Sequence, residues 1–204
     1  YIISTYGFLF QLFMFTSSTA YIYFLSHNKY HINEVNTFYF IFLFMITMMV
    51  VIVGLITIST EFGLEYLWNG LNDKYLLYLG LILGIFSQLQ ARLTEFSDST
   101  AQTIQSEKIK LLSKFLMVLS VVTFILFDSL DIYSYFILSI LNFVLFIMLF
   151  IKYINFQFAK VNKEKIVNIF EDFYVYLKPL IVFTLIAAIY SYLGKYVLQS
   201  SSGS

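Results

Sequence analysis

Two histidines, His27 and His31, stand four residues apart, the separation that puts two imidazoles on one helical face. In a zinc peptidase such a pair brackets a glutamate. Here the intervening residues are Asn28, Lys29 and Tyr30, with no glutamate between the histidines and a lysine nearby, so solvated loop histidines are the plainer reading. Asp128 and Asp131 can hold a cation, or they can keep a tight turn in water, since Asp and Ser favour turns. No Gly-rich phosphate loop, G-x-S-x-G elbow or DDxxD run appears. The chain has no cysteine, which excludes disulfides, thiolate metal sites and cysteine nucleophiles. These absences weigh against an enzyme, and nothing in the residues calls for a metal or a cofactor.

Polar residues set inside apolar runs say more. Gly80, Gly84, Gln88 and Arg92 follow one another every four residues, and Gly80-Leu-Ile-Leu-Gly84 is the small-xxx-small spacing that lets membrane helices approach closely. Gly7, Gln11 and Ser18 share a face of an earlier run, and Thr184, Ala188, Ser191 and Lys195 align in a late one. Each stripe is either the polar glue between packed helices or the lining of a hydrophilic cavity. Lys195, near the end of its run, either snorkels to the interface or turns inward to meet an anion.

The elements that must position these residues are set by composition. Of 204 residues, 60% are hydrophobic and 12% charged, against roughly 25% charged in an ordinary soluble domain. So few charges cannot cover a water-facing exterior, so the solvent has to be lipid. A helical crossing takes about 20 apolar residues. Six stretches qualify: 3–25, 36–58, 75–93, 109–127, 132–151 and 178–198. The expected fold is an all-α, polytopic transmembrane helix bundle forming a single membrane region. Residues 92–108 lack Gly and Pro and are expected to continue the flanking helices. Residues 163–178 carry Ile166, Ile169, Phe170, Phe173 and Leu177 opposite Glu164, Asn168, Glu171 and Asp172, the pattern of an amphipathic helix lying at the interface. Pro179 then fits the first turn of the last span.

Charge orients the bundle. Loops 26–35, 92–114 and 152–178 hold Lys29, Arg92, Lys108, Lys110, Lys114, Lys152, Lys160, Lys163, Lys165 and Lys178. The opposite face holds only Lys74 and Lys195. The positive-inside rule therefore makes the first three loops cytoplasmic. Net charge is zero, so no global field selects nucleic acid as a partner. The first residue is Tyr1, and it opens directly into an apolar run, as expected of a fragment of a longer chain.

The last span carries a resemblance. Its approach, Tyr176-Leu-Lys-Pro179-Leu-Ile, and its exit, Gly194-Lys-Tyr-Val-Leu-Gln199, resemble the seventh helix of bacterial polysaccharide and O-antigen flippases. These belong to the multidrug/oligosaccharidyl-lipid/polysaccharide flippase superfamily. Gly194-Lys195 stand where that family carries aspartate-arginine, and Tyr196 where it carries tryptophan. The resemblance implies that the six spans correspond to helices two to seven, the first lobe of a MATE-like fold plus the first helix of the second.

It further implies a flippase of the cytoplasmic (inner) membrane that moves a polyprenyl-diphosphate-linked oligosaccharide by alternating access between two lobes. Lys195 and Arg92 would then contact the diphosphate, and Gln11, Gln88, Thr184 and Ser191 would line the path. A coupling ion is allowed by the family and identified by no residue. The alternative, a membrane-embedded polysaccharide polymerase, calls for a large external loop with arginines. The longest external loop, 59–74, has one lysine and no arginine.

Overall fold

A computed structural model describes residues 1–14, 17–27, 29–68, 71, 73–156 and 158–202, and all of their side chains except those of 191–192, 195–196 and 198–202. The described residues form helices and no strands: α1 (Ile2–Met14), α2 (Ser17–Ser26), α3 (Ile32–Ser59), α4 (Glu61–Tyr66), α5 (Lys74–Ser99), α6 (Thr103–Leu126), α7 (Ile132–Tyr153) and α8 (Lys163–Ser202). The chain is an all-α, multi-pass membrane protein. Helices α3, α5, α6, α7 and α8 each meet the length and composition of a crossing; α1 and α2 meet them only as a pair, with 47° between them. The expected span 3–25 is thus divided between α1 and α2, and of the stripe Gly7, Gln11, Ser18 the first two lie on α1 and the third on α2.

The surface identifies the solvent. In the most apolar 18-residue window of α6, 11% of the residues are buried within the protein, and in that of α8, 17%. Leu126, Phe127, Met148 and Phe183 are each more than 60% exposed. Helices that are apolar all round yet mostly unpacked against protein are matched to hydrocarbon.

The chain forms two compact units. Tyr1, Ile3–Asn72 and Gln157–Ser204 make the first; Ile2 and Asp73–Phe156 make the second. In the first unit, α8 packs on α2 and α3 through aromatic rings. Phe173 lies 5.8 Å from Phe24, 5.2 Å from Phe38 and 5.7 Å from Phe42 between ring centroids. Tyr21 stacks on Tyr39 at 4.1 Å and donates a 2.7 Å hydrogen bond to Asn36 Oδ1. Trp68, fully buried, sits against Tyr1 and Tyr6, so the stretch that follows α3 is pinned to α1 and contains a helix of its own, α4. Thr60 both ends α3 and caps α4, accepting from Gly63 N. A Cβ at Gly63 would stand 2.1 Å from Thr57 O, so only glycine fits that corner.

The second unit is the α5–α6–α7 bundle. Asp73 caps α5 by accepting from Tyr75 N and Leu76 N. The Tyr133 hydroxyl also donates to Asp73, and that bond is the main cause holding its carboxyl below the usual range. Asp131 and Ser134 form a reciprocal capping box at the start of α7. At mid-bundle, Ser113 Oγ donates to Asn142 Oδ1 at 2.8 Å, joining α6 to α7. Gly80 is buried, and a Cβ there would stand 2.1 Å from Ile2 Cγ2 and 3.7 Å from Phe136 Cε1. That part of the α5 stripe is a close-packing surface.

Two expectations are corrected in detail. The helices flanking residues 92–108 do extend, but a sharp turn at Thr100–Gln102 divides them, with Ala101 in the left-handed region at φ 58°. Gln102 N donates to Ser97 O at 2.8 Å, which is the closure usually made around a glycine. The Gln102 side chain then exchanges two hydrogen bonds with the Asn155 backbone, anchoring the turn on the end of α7. The second correction is Pro179. It lies inside α8, a single 40-residue helix, and not at the start of a new one. Residues 163–178 are therefore the first half of that helix. Ile169, Phe173 and Leu177 on their apolar side are buried against protein, where the sequence placed them against the interface.

Two outcomes follow from this architecture. The lysine bias predicts that a cysteine at exposed Lys160, the only thiol in the chain, reacts with an impermeant maleimide only after permeabilisation; rapid reaction in intact cells would reverse the orientation. Ala101→Gly removes the cost of a left-handed alanine and raises unfolding stability in detergent by about 1 kcal/mol; an unchanged or lowered denaturation midpoint would show that the turn carries no such strain.

Candidate functional site

Helix α5 carries charge into an apolar crossing. At 1.5 Å per residue, a 30 Å hydrocarbon core takes about 20 residues. Counted from Lys74, that core ends near Arg92, which places Gln88 inside the boundary and Arg92 at its lip. Gly80 and Gly84 are buried, whereas Gln88 and Arg92 are half-buried. The stripe thus changes character along its length, from packing surface to polar edge. Arg92 Nη1 lies 2.7 Å from Glu95 Oε2, an ion pair one helical turn long. Arg92 Nε and Glu95 Oε2 are both buried and make no hydrogen bond, so the attraction between the two side chains is that of an ion pair. Glu95 was not among the residues singled out from sequence, although its place three residues after Arg92 is the spacing that pairs charges on a helix.

The other candidates are distributed over both units. Gln11 is exposed on α1, in the first unit. Thr184 Oγ1 donates to Leu180 O of its own helix at 2.8 Å, so that proton is already used. Ser191 and Lys195 are on α8, but their side chains lie outside the described residues. Gln88 and Arg92 stand together, one turn apart on α5.

The first unit holds a cluster that sequence reasoning did not find. Asp172 on α8 accepts from Lys29 Nζ at 2.5 Å and from the Tyr30 hydroxyl. Lys165 Nζ donates to Glu34 Oε1 at 2.6 Å. The two pairs fix the turn between α2 and α3 to the first half of α8. Burial, with the bond to Asp172 second, pushes the Tyr30 phenol up to about 12. All these partners are more than a hundred residues apart, and no local spacing announces them. Beside them an apolar groove of about 480 Å³ runs between α3 and α8, lined by Phe42, Met45, Met49, Phe170, Tyr174 and Ile181 among others.

The histidine and aspartate readings resolve toward structure. His31 caps α3, and its Nδ1 accepts from Asn33 N at 3.4 Å. His27 follows the end of α2 and packs against the Tyr23 ring, tilted by 30° with 3.9 Å between centroids. A turn separates the two rings, so they share no helical face. Asp128 takes the left-handed position after α6, at φ 49°, and Asp131 is the α7 cap. Among the described residues, no group of three or more His, Cys, Asp or Glu could hold a metal ion.

No protein-family model, curated protein or solved structure matches this chain.

The Arg92–Glu95 pairing has an energetic signature. In a double-mutant cycle on detergent-solubilised protein, Arg92→Ala and Glu95→Ala should each destabilise, while the double variant loses less than their sum by roughly 1 kcal/mol. Strict additivity would show that the two charges do not interact.

Proposed function

We propose that this chain is part of a flippase that carries a lipid-linked oligosaccharide, of the polyprenyl-diphosphate type, across a bacterial cytoplasmic membrane for polysaccharide synthesis. It would make and break no covalent bond. The observation that carries the reading is the polar edge of α5, where Gln88 and Arg92 stand half-buried at the end of an otherwise apolar crossing. An ionisable group in such a place is costly and is kept for function.

The physical task explains its position. The substrate's diphosphate lies at the headgroup level of one leaflet before translocation, and a cation at the lip of a span is the first compensating charge it meets. Arginine suits this because its planar donors engage phosphate oxygens in pairs. Arg92 has one donor edge toward Glu95 and a buried Nε without a partner. Glu95 keeps the site neutral when empty and competes with the phosphate when it is filled, which favours release over tight binding. On the α8 side, the resemblance around Pro179 and Gly194-Lys195 supplies the second cation, Lys195, near the far end of its span. Each cation would compensate the diphosphate while the lipid tail stays in hydrocarbon.

In the intact protein, Lys195→Ala and Arg92→Ala should each leave lipid-linked oligosaccharide accumulated on the cytoplasmic leaflet and cut polysaccharide output at least tenfold. Normal output at normal membrane expression would remove that residue from the path. If proteoliposomes of the intact wild-type protein fail to move a polyprenyl-diphosphate oligosaccharide between leaflets, the flippase reading itself falls.

A further inference from the structure

A second groove, of about 310 Å³, opens between the start of α6 and the end of α7. It is lined by Gln105, Lys108, Ile109 and Leu112 from α6 and by Leu149 and Tyr153 from α7. Its size lies within the range of small-molecule sites, and its apolar residues, Leu112 exposed among them, lie on the span side of its polar ones on α6. Ile109 is buried and Leu149 half-buried, and with Leu112 they form an apolar floor. Gln105, Lys108 and Tyr153 are exposed and form a polar rim. Counting about 20 residues back from Leu126, the end of α6, puts the edge of the hydrocarbon near Lys108. The rim therefore sits at the headgroup level and the floor just inside it. A tyrosine at that depth is the usual interfacial anchor.

Charge identifies the occupant. The two helix ends that form the groove carry Lys108, Lys110, Lys114 and Lys152 against a single acid, Glu107. Glu107 is taken by Lys110, at 2.5 Å. Among the described residues, Lys108, Lys114 and Lys152 make no ion pair; Lys152 Nζ stands 5.4 Å over the ring of Tyr153, which itself lines the groove. An apolar floor under two unneutralised ammonium groups, a phenol and an amide complements one kind of molecule: an amphiphile with an acyl chain and an anionic phosphate head. Basic pockets between crossing helices take such heads. We propose that this groove is a binding site for an anionic phospholipid of the lysine-rich leaflet, its phosphodiester held by Lys108 and Lys152 and an acyl chain lying on Leu112 and Leu149. The site is separate from the α5 edge and independent of the translocation reading.

Native mass spectrometry of the detergent-purified intact protein, loaded with equal phosphatidylglycerol and phosphatidylcholine, tests this. The wild type should retain phosphatidylglycerol in preference. Lys108→Gln and Lys152→Gln should each weaken retention roughly fivefold, and the pair roughly 25-fold, with helicity by circular dichroism unchanged. Lys160→Gln, which does not line the groove, should retain the lipid as the wild type does. Equal retention of both lipids, or undiminished phosphatidylglycerol in the double variant, would overturn the proposal. So would retention displaced by millimolar inorganic phosphate, which would mark a plain anion site. A photoreactive residue at Leu112 should crosslink to phosphatidylglycerol; crosslinking to a polypeptide would assign the groove to a protein partner instead.

Discussion

Hydrocarbon offers a peptide group no hydrogen-bond partner, and most of this structure can be derived from that fact. A crossing segment has to satisfy its own N–H and C=O groups, so it must be helical, and the ends of each helix have to be closed before the chain turns. The closures are where the chain places most of its polar residues. Asp73 and Asp131 cap α5 and α7, His31 caps α3, and Thr60 serves two helices at once. Inside the crossings the same rule operates on side chains. Thr47, Ser87, Ser139 and Thr184 return their hydroxyl protons to carbonyls of their own helices. Tyr21–Asn36 and Ser113–Asn142 meet each other instead, and so fix which helix faces belong together.

With hydrophobic sorting removed as a guide to what lies inside, packing here rests on shape. The first unit is held by aromatic rings clustered around Phe173 and Trp68, and the second by close approach at Gly80. Aromatic pairs gain from offset and edge contacts even where lipid is the alternative neighbour. That explains why a chain with 21% aromatic residues spends them both inside its units and on its lipid face.

The crossings were legible in the sequence because length and apolarity alone specify them; four of the six expected spans fall within single helices, and a fifth, 109–127, passes the end of α6 by one residue. The α6–α7 hairpin was equally plain, since Asp128-Ser129-Leu130-Asp131 can be little else. Three features were not legible, for different reasons. The turn at Ala101 uses no glycine, so the usual mark of a left-handed residue is missing. Pro179 reads as a boundary by its local chemistry, yet tertiary packing of Phe173 and Leu177 carries α8 through it. The partners of Asp172 and Lys165 are distant in the chain, and charge counting assigned Lys29 and Lys165 to a topological role without revealing that each is already paired. Of the candidate polar stripe, the glycines proved to be packing and the Gln88–Arg92 end remained polar, a distinction that spacing could not make.

The length of α8 has a mechanical meaning. At 1.5 Å per residue, forty residues make a rod about 60 Å long, twice the thickness of a hydrocarbon core. Its first half is bolted to the α2–α3 turn by Lys165–Glu34 and by Asp172 with Lys29 and Tyr30. Between the bolted half and the remainder stands Pro179, where one backbone bond of the ladder, to Val175, cannot form. Such a rod behaves as a lever with its compliant point just beyond the fixed grip. Bending along it is easiest where that bond is missing, beyond the aromatic seat that holds its start.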